Sequence, residues 1–466
     1  MRWLAAALVA LCATASVGAG EHDRPNVLLI VTDDQRPDTI HALGNDVIRT
    51  PVFDRLVREG TTFTRAVTAI PICVASRAEL LTGRDGLSNG RQNYGMSPAA
   101  DVPGIAHVLH DAGYATCYTG KWHTTGRPSD WGYAACAGLY SGGGAAFPLT
   151  HPVDWAGRPV TGYVGWVFQT DDRQLFPEQG VGLTPDISAA FADAAIGFIR
   201  SVRERPFFLH VNFTAPHDPL LQPPGNEHRY DPAAIPLPRD FRPEHPFDHG
   251  NRAGRDELLF EIPRTEDETR GEIAVYYSVI SHMDAQIGRI LDELRRGEQL
   301  NRTLVIVTSD HGLAIGSHGL RGKQNMYEHT IGVPLIFRGP GIPTDTRTNA
   351  QCYLRDLYPT ICDLARVPVP ETVQGRSLAP VLGGDRRQVH DAVFTHFLKV
   401  QRAIRTDSWK YVVYPQAGRE QLFSIQEDPD ELTNLIDQSD HAATAGDLRS
   451  RLTQWRTSWD DPTLTE

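Results

Sequence analysis

Runs of uninterrupted apolar residues punctuate the first two thirds of the chain. Residues 26–32 (NVLLIVT), 207–213 (FFLHVNF) and 304–308 (LVIVT) are short, rich in β-branched or aromatic side chains and without alternation. That pattern predicts parallel strands buried on both faces, and residues 115–119 read the same way. Between them, apolar positions recur every three or four residues over 51–59, 105–112, 187–203 and 270–296, which predicts helices. Strands alternating with helices predict an α/β fold, a large, mixed, mostly parallel sheet sandwiched by helices.

Beyond a helix at 358–365 and the break Pro368-Val369-Pro370, the pattern changes. Short strand-like runs at 392–396, 401–406 and 410–414 precede an acidic, turn-rich stretch and a closing helix at 442–455. The organisation expected is a leader at 1–20, a main domain at 21–370 and a smaller C-terminal subdomain at 371–466 with an antiparallel sheet.

A chain of 466 residues exceeds what one core usually holds, which agrees with that division. Hydrophobic content of 41% and charged content of 22% are those of a globular protein. The net charge of −12 argues against nucleic acid or an anionic membrane as partner, so any anionic substrate must meet a local basic pocket. Acidic runs at 266–268 and 427–431 read as solvated faces.

Arg2, the apolar stretch 4–11 and the small residues Val17-Gly18-Ala19 have the layout of a secretory signal, so an exported protein is expected. Leu11 stands where a lipid-anchored Cys12 would need a small residue, and no later stretch is long and apolar enough to span a membrane. Cys117, Cys136, Cys352 and Cys362 are either free buried thiols or the makings of up to two disulfides. Cys352 and Cys362 are expected to share a helix and point apart.

The chemistry clusters at strand ends. Asp33 and Asp34 follow the first strand, and Asp310 and His311 follow the 304–308 strand, where open α/β sheets place their ligands. So many carboxylates in one crevice would repel one another unless a divalent metal joined them. Cys73 precedes a stretch, 76–81, that reads as a helix start with Ser76 as its cap, so a group there would face free backbone N–H groups suited to the oxygens of an anion.

The segment Cys73-Val74-Ala75-Ser76-Arg77, followed by Thr82-Gly83-Arg84, resembles the signature of the type I, formylglycine-dependent sulfatases, of the alkaline phosphatase-like superfamily. Ala75 departs from the commoner proline and bears on how efficiently the cysteine is modified. Gly120-Lys121-Trp122-His123, Ala215-Pro216-His217-Asp218-Pro219, Gly322-Lys323-Gln324 and the C-terminal stretch with its A-I-R-T-D-S-W-K-Y run resemble further segments of that family.

The resemblance implies oxidation of Cys73 to formylglycine by a formylglycine-generating enzyme, and a calcium ion on Asp33, Asp34, Cys73, Asp310 and His311. It implies that Lys121 and Lys323 bind the sulfate, and that His123 meets the formylglycine hydroxyls. Arg77 would orient the nucleophile, and His217 would protonate the departing alcohol, a task suited to an imidazole. His318, His329 and Asn325 stay unassigned.

The substrate expected is a sulfated saccharide or another small sulfate ester. Tyr140, Tyr163, Trp166 and Phe168 either stack on a sugar or pack the core. The competing readings are a phosphate or phosphonate ester hydrolase of the same fold and a catalytically silent protein that captures anionic glycans.

Overall fold

The computed structural model describes residues 24–97, 102–143, 147–203 and 205–461; the leader expected at 1–20 lies outside them. Ten strands form the main sheet: β1 (Asn26–Thr32), β2 (Thr61–Val67), β3 (Ala115–Lys121), β4 (Ala135–Gly142), β5 (Trp166–Gln169), β6 (Leu175–Val181), β7 (Phe207–Asn212), β8 (Thr303–Ser309), β9 (Leu335–Arg338) and β10 (Thr346–Tyr353). Their order across the sheet is β10-β2-β9-β8-β1-β7-β3-β4-β5-β6. The block β8-β1-β7-β3-β4 is parallel, whereas β9, β5 and β6 run antiparallel to their neighbours. The mixed, mostly parallel sheet expected is the one found.

The unbroken apolar runs have a direct explanation in the two cores. Leu28 and Ile30 of β1, Leu209 and Val211 of β7, and Val305 and Val307 of β8 point into one core, with helices Ile187–Ser201 and Glu266–Arg296. Val27, Leu29, Val31, Phe208, Leu304 and Ile306 point into the other, with helices Ile105–Asp111 and Leu357–Leu364. Successive strand residues face opposite sides, so only a strand covered on both needs apolar residues throughout. Each such side chain contributes roughly 1.5–3 kcal/mol of transfer free energy.

Four further strands, β11 (Val393–Phe397), β12 (Gln401–Arg405), β13 (Trp409–Tyr414) and β14 (Arg419–Ser424), form a separate antiparallel meander. One face is covered by helix Ala442–Ser458 through Leu448, Leu452 and Trp455. The other packs Val393, Ala403, Val412 and Tyr414 against Val67, Ile70, Ile72 and Val74 of the main body. The small sheet therefore buttresses the segment that carries Cys73.

Two expectations are corrected, and the alternative left open for the cysteines is decided. Cys352 lies in β10 and Cys362 in helix Leu357–Leu364, because the chain leaves the sheet at Tyr353 before turning helical. All five described cysteines are free thiols. Glu431 is not solvated: it is 2% exposed and its carboxylate lies 2.6 Å from the equally buried Lys410 ammonium. Among the described residues no helix is long and apolar enough to cross a membrane.

Removing one partner of a buried ion pair strands the other charge. Lys410→Met is expected to cost about 3–5 kcal/mol in denaturant unfolding. Lys410→Met combined with Glu431→Gln should recover part of that loss, and strict additivity of the two substitutions would contradict the coupling.

Candidate active site

The register of the central strands brings their ends together. Thr32 pairs with Ser309 and Val31 with Asn212, so β1, β8 and β7 finish side by side. Asp310 N donates to Thr32 O at 3.1 Å and Asp33 N to Ala215 O at 3.1 Å, which carries the alignment into the loops. Asp34 takes a left-handed backbone at φ 65°, its N–H donating to Asp310 Oδ1 at 3.1 Å and its carbonyl accepting from Tyr276 at 2.6 Å. A non-glycine residue held there is strained, and the surrounding hydrogen bonds keep it so.

At the end of β3 the register with β4 shifts between Thr119 and Gly120. Gly120 has φ 91°, and a Cβ at this position would sit 1.9 Å from Asn212 O. Only glycine permits this approach, and the bulge turns Lys121 into the crevice, where its ammonium donates to Asp33.

Cys73 opens helix Cys73–Thr82 as its first helical residue. Ile72 is the N-cap and supplies no side-chain hydrogen bond, so the first N–H groups of the helix lack a protein cap. Ser76 is not the cap expected: it lies one turn in, where its hydroxyl donates to Asp310 O at 2.6 Å and locks the helix to the end of β8.

Around the Cys73 sulfur the predicted residues converge. Lys323 Nζ and His311 Nε2 both lie 3.4 Å from Sγ. Cys73, Asp33, Asp310 and His311 offer donor atoms within 4.8 Å of one another, as do Asp33, Asp34, Cys73 and His217. Arg77 Nε donates to Asp310 Oδ2 at 3.1 Å and Nη1 to Asn212 Oδ1 at 2.7 Å. Lys323 donates to Asp34 Oδ1 at 2.9 Å and to His217 Nε2 at 2.9 Å. Both lysines expected on sulfate oxygens are here held by carboxylates.

Burial opposes charge on every one of these groups, and the neighbours decide the outcome. Burial raises Asp34 to about 6 despite Lys323 and His311. Burial would raise Asp310 as well, but His311 and Arg77 hold it well below the usual carboxylate range. Burial would lower His311, yet Asp310, Cys73 and Asp34 lift it to about 9. His217 is pushed well below its ordinary value by burial and Lys323, and His123 by burial and Lys121. The crevice thus holds two neutral imidazoles and one charged one.

His123 stands at the edge of the cluster, its ring 5.0 Å from Trp166 and 5.5 Å from the exposed Tyr94, with Nδ1 unpartnered. Several participants take roles that the motif reading did not assign. Tyr163 donates to Asp33 Oδ2 at 2.7 Å instead of offering itself to a sugar, while Tyr140 and Phe168 are core residues. Asn212, the last residue of β7, was detectable by the strand-end rule that singled out Asp33. Asp218, which pairs with Arg255 and lies 3.6 Å from Arg321, accepts the other end of the His217 contact, with Nδ1 2.5 Å from Asp218 O. Arg255 comes from a loop that no sequence pattern marks.

The chain matches the family model described as Sulfatase over residues 25–367 and the one described as N-sulphoglucosamine sulphohydrolase, C-terminal, over residues 316–458. It is 29% identical over 476 aligned residues to an arylsulfatase of Clostridium perfringens, covering 92% of this chain and 94% of that one. Among solved structures it resembles the phosphonate monoester hydrolase of Silicibacter pomeroyi, with a TM-score of 0.77, 23% identity, and 95% and 97% of the two chains covered. It also resembles a protein solved in complex with its substrate D-glucosamine-2-N,6-O-disulfate, with a TM-score of 0.74, 22% identity, and 95% and 100% covered.

Because His311 is raised above its ordinary value near 6.5, its contribution to the stability of chelator-treated protein is full below about pH 6.5 and is lost as pH rises through about 9. The stability advantage of the wild type over His311→Asn in urea unfolding is expected to shrink between those values. An advantage that grows with pH would reverse the assignment.

Proposed function

The chain belongs to the sulfatase family and is a sulfuric ester hydrolase; from that premise we propose that it removes O-sulfate groups from a saccharide, using a formylglycine at position 73 beside a bound calcium ion. One observation carries the reading. The Cys73 side chain, at a helix N-terminus, meets Lys323, His311 and the carboxylates of Asp33 and Asp310 in one buried cluster.

The donor set suits a hard cation. Three carboxylates and an imidazole converge, and Asp33 Oδ1 is buried with no hydrogen-bond partner. Asp33, Asp34, Asp310, His311 and residue 73 would hold the ion, with His311 giving up its proton and Lys121 and Lys323 releasing the carboxylates they now bind. When bound, such an ion supplies Lewis acidity to the sulfuryl group and to the hydrated aldehyde. Released from Asp33 and Asp34, Lys121 and Lys323 are free to take sulfate oxygens as the resemblance implies.

Arg77 fixes Asp310 against Asn212 and so positions the nucleophile's surroundings. His123, neutral and with Nδ1 free, suits removal of a proton from position 73. His217 must carry a proton at Nε2 to protonate the departing alcohol, and Lys323 Nζ at 2.9 Å stands ready to supply it. Tyr94 and Trp166 flank His123 and offer ring faces to a sugar. Formylglycine-generating enzyme is the maturation partner proposed, with residues 1–20 as an export signal, 21–370 as the catalytic domain and 371–466 as the C-terminal subdomain.

A phosphonate or phosphate ester hydrolase is the second reading, because the fold is shared with a phosphonate monoester hydrolase. Turnover of an aryl sulfate is expected to exceed that of the matching aryl phosphonate, and the opposite order would install the second reading. Peptide mass spectrometry should find an aldehyde at position 73. Cys73→Ala should fold yet lose turnover by about a thousandfold or more. Unmodified thiol throughout material from a host that makes the modifying enzyme would favour a silent binding protein. Chelation should lower both turnover and unfolding temperature, with calcium restoring each through preferential binding to the folded state.

A further inference from the structure

Asp240, His318 and His329 form a second buried convergence, outside the Cys73 crevice. His318 N donates to Asp240 O at 2.8 Å and Phe241 bridges Ser317 in antiparallel fashion, which pins two loops together. His318 adopts φ 52°, and its Nε2 lies 3.2 Å from Asp240 Oδ2. His329, in the turn Glu328–Ile331, completes the group, and one donor atom from each lies within 4.8 Å of the others. Relative exposures of 8%, 4% and 7% keep all three away from bulk water.

The hydrogen bonding of this group does not close. The His318 ring bonds the Asp430 backbone, and His329 Nδ1 lies 2.8 Å from Thr330 Oγ1. The remaining ring nitrogen, Nε2 in both residues, has no partner. Burial and His245 push His318 down to about 3, and burial and Arg36 hold His329 well below its ordinary value, so both rings are neutral and present lone pairs. His318 Nε2 thus faces the Asp240 carboxylate, which accepts from the Ser317 side chain, and His329 Nε2 lies buried beside them without a hydrogen-bond partner. Buried acceptors are ordinarily satisfied, and a cation would satisfy all three at once.

We propose that Asp240, His318 and His329 bind one divalent ion of the zinc class, apart from the catalytic crevice. Two imidazoles with one carboxylate suit zinc better than calcium, whose sites are built from oxygen. The contacts of the rings to Asp430 and Thr330 are the outer hydrogen bonds that orient metal-binding histidines. The nearby cations are partly offset by partners of their own: Arg36 pairs with Asp38 at 2.7 Å, and Lys410 pairs with Glu431 at 2.6 Å. A cavity of about 930 Å³, lined by Asp240, His329, Arg36 and Tyr276, reaches the group and leaves room for water as a fourth ligand. Such an ion would tie the 240 loop to the 318–329 segment where Asp430 of the C-terminal portion meets both.

The test is cobalt(II) titration of calcium-loaded Cys73→Ser protein, which lacks the thiol of the other crevice. Visible absorption and metal content after gel filtration are the readouts. One equivalent of cobalt with tetrahedral ligand-field bands, displaced by zinc, is expected. His329→Gln and Asp240→Asn should each weaken it about tenfold or more. No retained cobalt, or equal retention in both variants, overturns the proposal. Should the variants fail to fold, a rise in unfolding temperature of the Cys73→Ser protein with zinc but not with added magnesium supports the site, and no rise overturns it.

Discussion

Three buried carboxylates at the ends of two adjacent strands cannot all remain ionised unless positive charge surrounds them. Asp33, Asp34 and Asp310 satisfy this through Arg77, Lys121, Lys323 and a protonated His311, every one of them buried. Those cations come from a helix, a strand end and the 310–327 connection, which are distant in sequence from one another. Meeting the demand therefore fixes how the helix that starts at Cys73, the bulge at Gly120 and the 311–323 segment sit against the sheet. The arrangement leaves a surplus of positive charge when no metal ion is bound, which suits a crevice that must admit an anion.

The small sheet serves the same end by a different force. Its inner face packs on Ile70, Ile72 and Val74, directly behind the sulfur-bearing residue, so the position of Cys73 is set by apolar packing on one side and by the Ser76 contact to Asp310 on the other. A group whose reactivity depends on placement within about half an ångström needs such support. Arg355 extends it, pairing with both Glu79 and Asp85 beneath the same helix.

What could be read from the residues beforehand was what has a local cause. The strands β1, β7 and β8 announce themselves because burial on both faces demands unbroken apolar runs, and Asp33, Asp34, Asp310 and His311 follow from their positions just past those runs. The outer strands β2 and β10 mix threonine, arginine and asparagine with apolar residues, since an edge is only partly covered, and they gave no comparable signal. Ser76 looked like a cap because serine favours that position, but its tertiary bond to Asp310 outweighed the local preference. The roles of Tyr163, Arg255 and Glu431 depend on partners many residues away, which no periodicity encodes.

On the proposed reading, the 2.9 Å contact between Lys323 and His217 would order the events in the crevice. While Asp34 holds Lys323, the proton stays on the lysine and His217 stays neutral, so the pair cannot act as an acid. A cation that takes Asp34 removes the main charge holding that proton, and an arriving sulfate places negative charge beside the imidazole. The first would loosen the lysine's hold on the proton, and the second would favour a charged imidazole. On the proposed reading the acid would be armed only with metal and substrate both in place, which would confine proton transfer to the moment when a leaving group requires it.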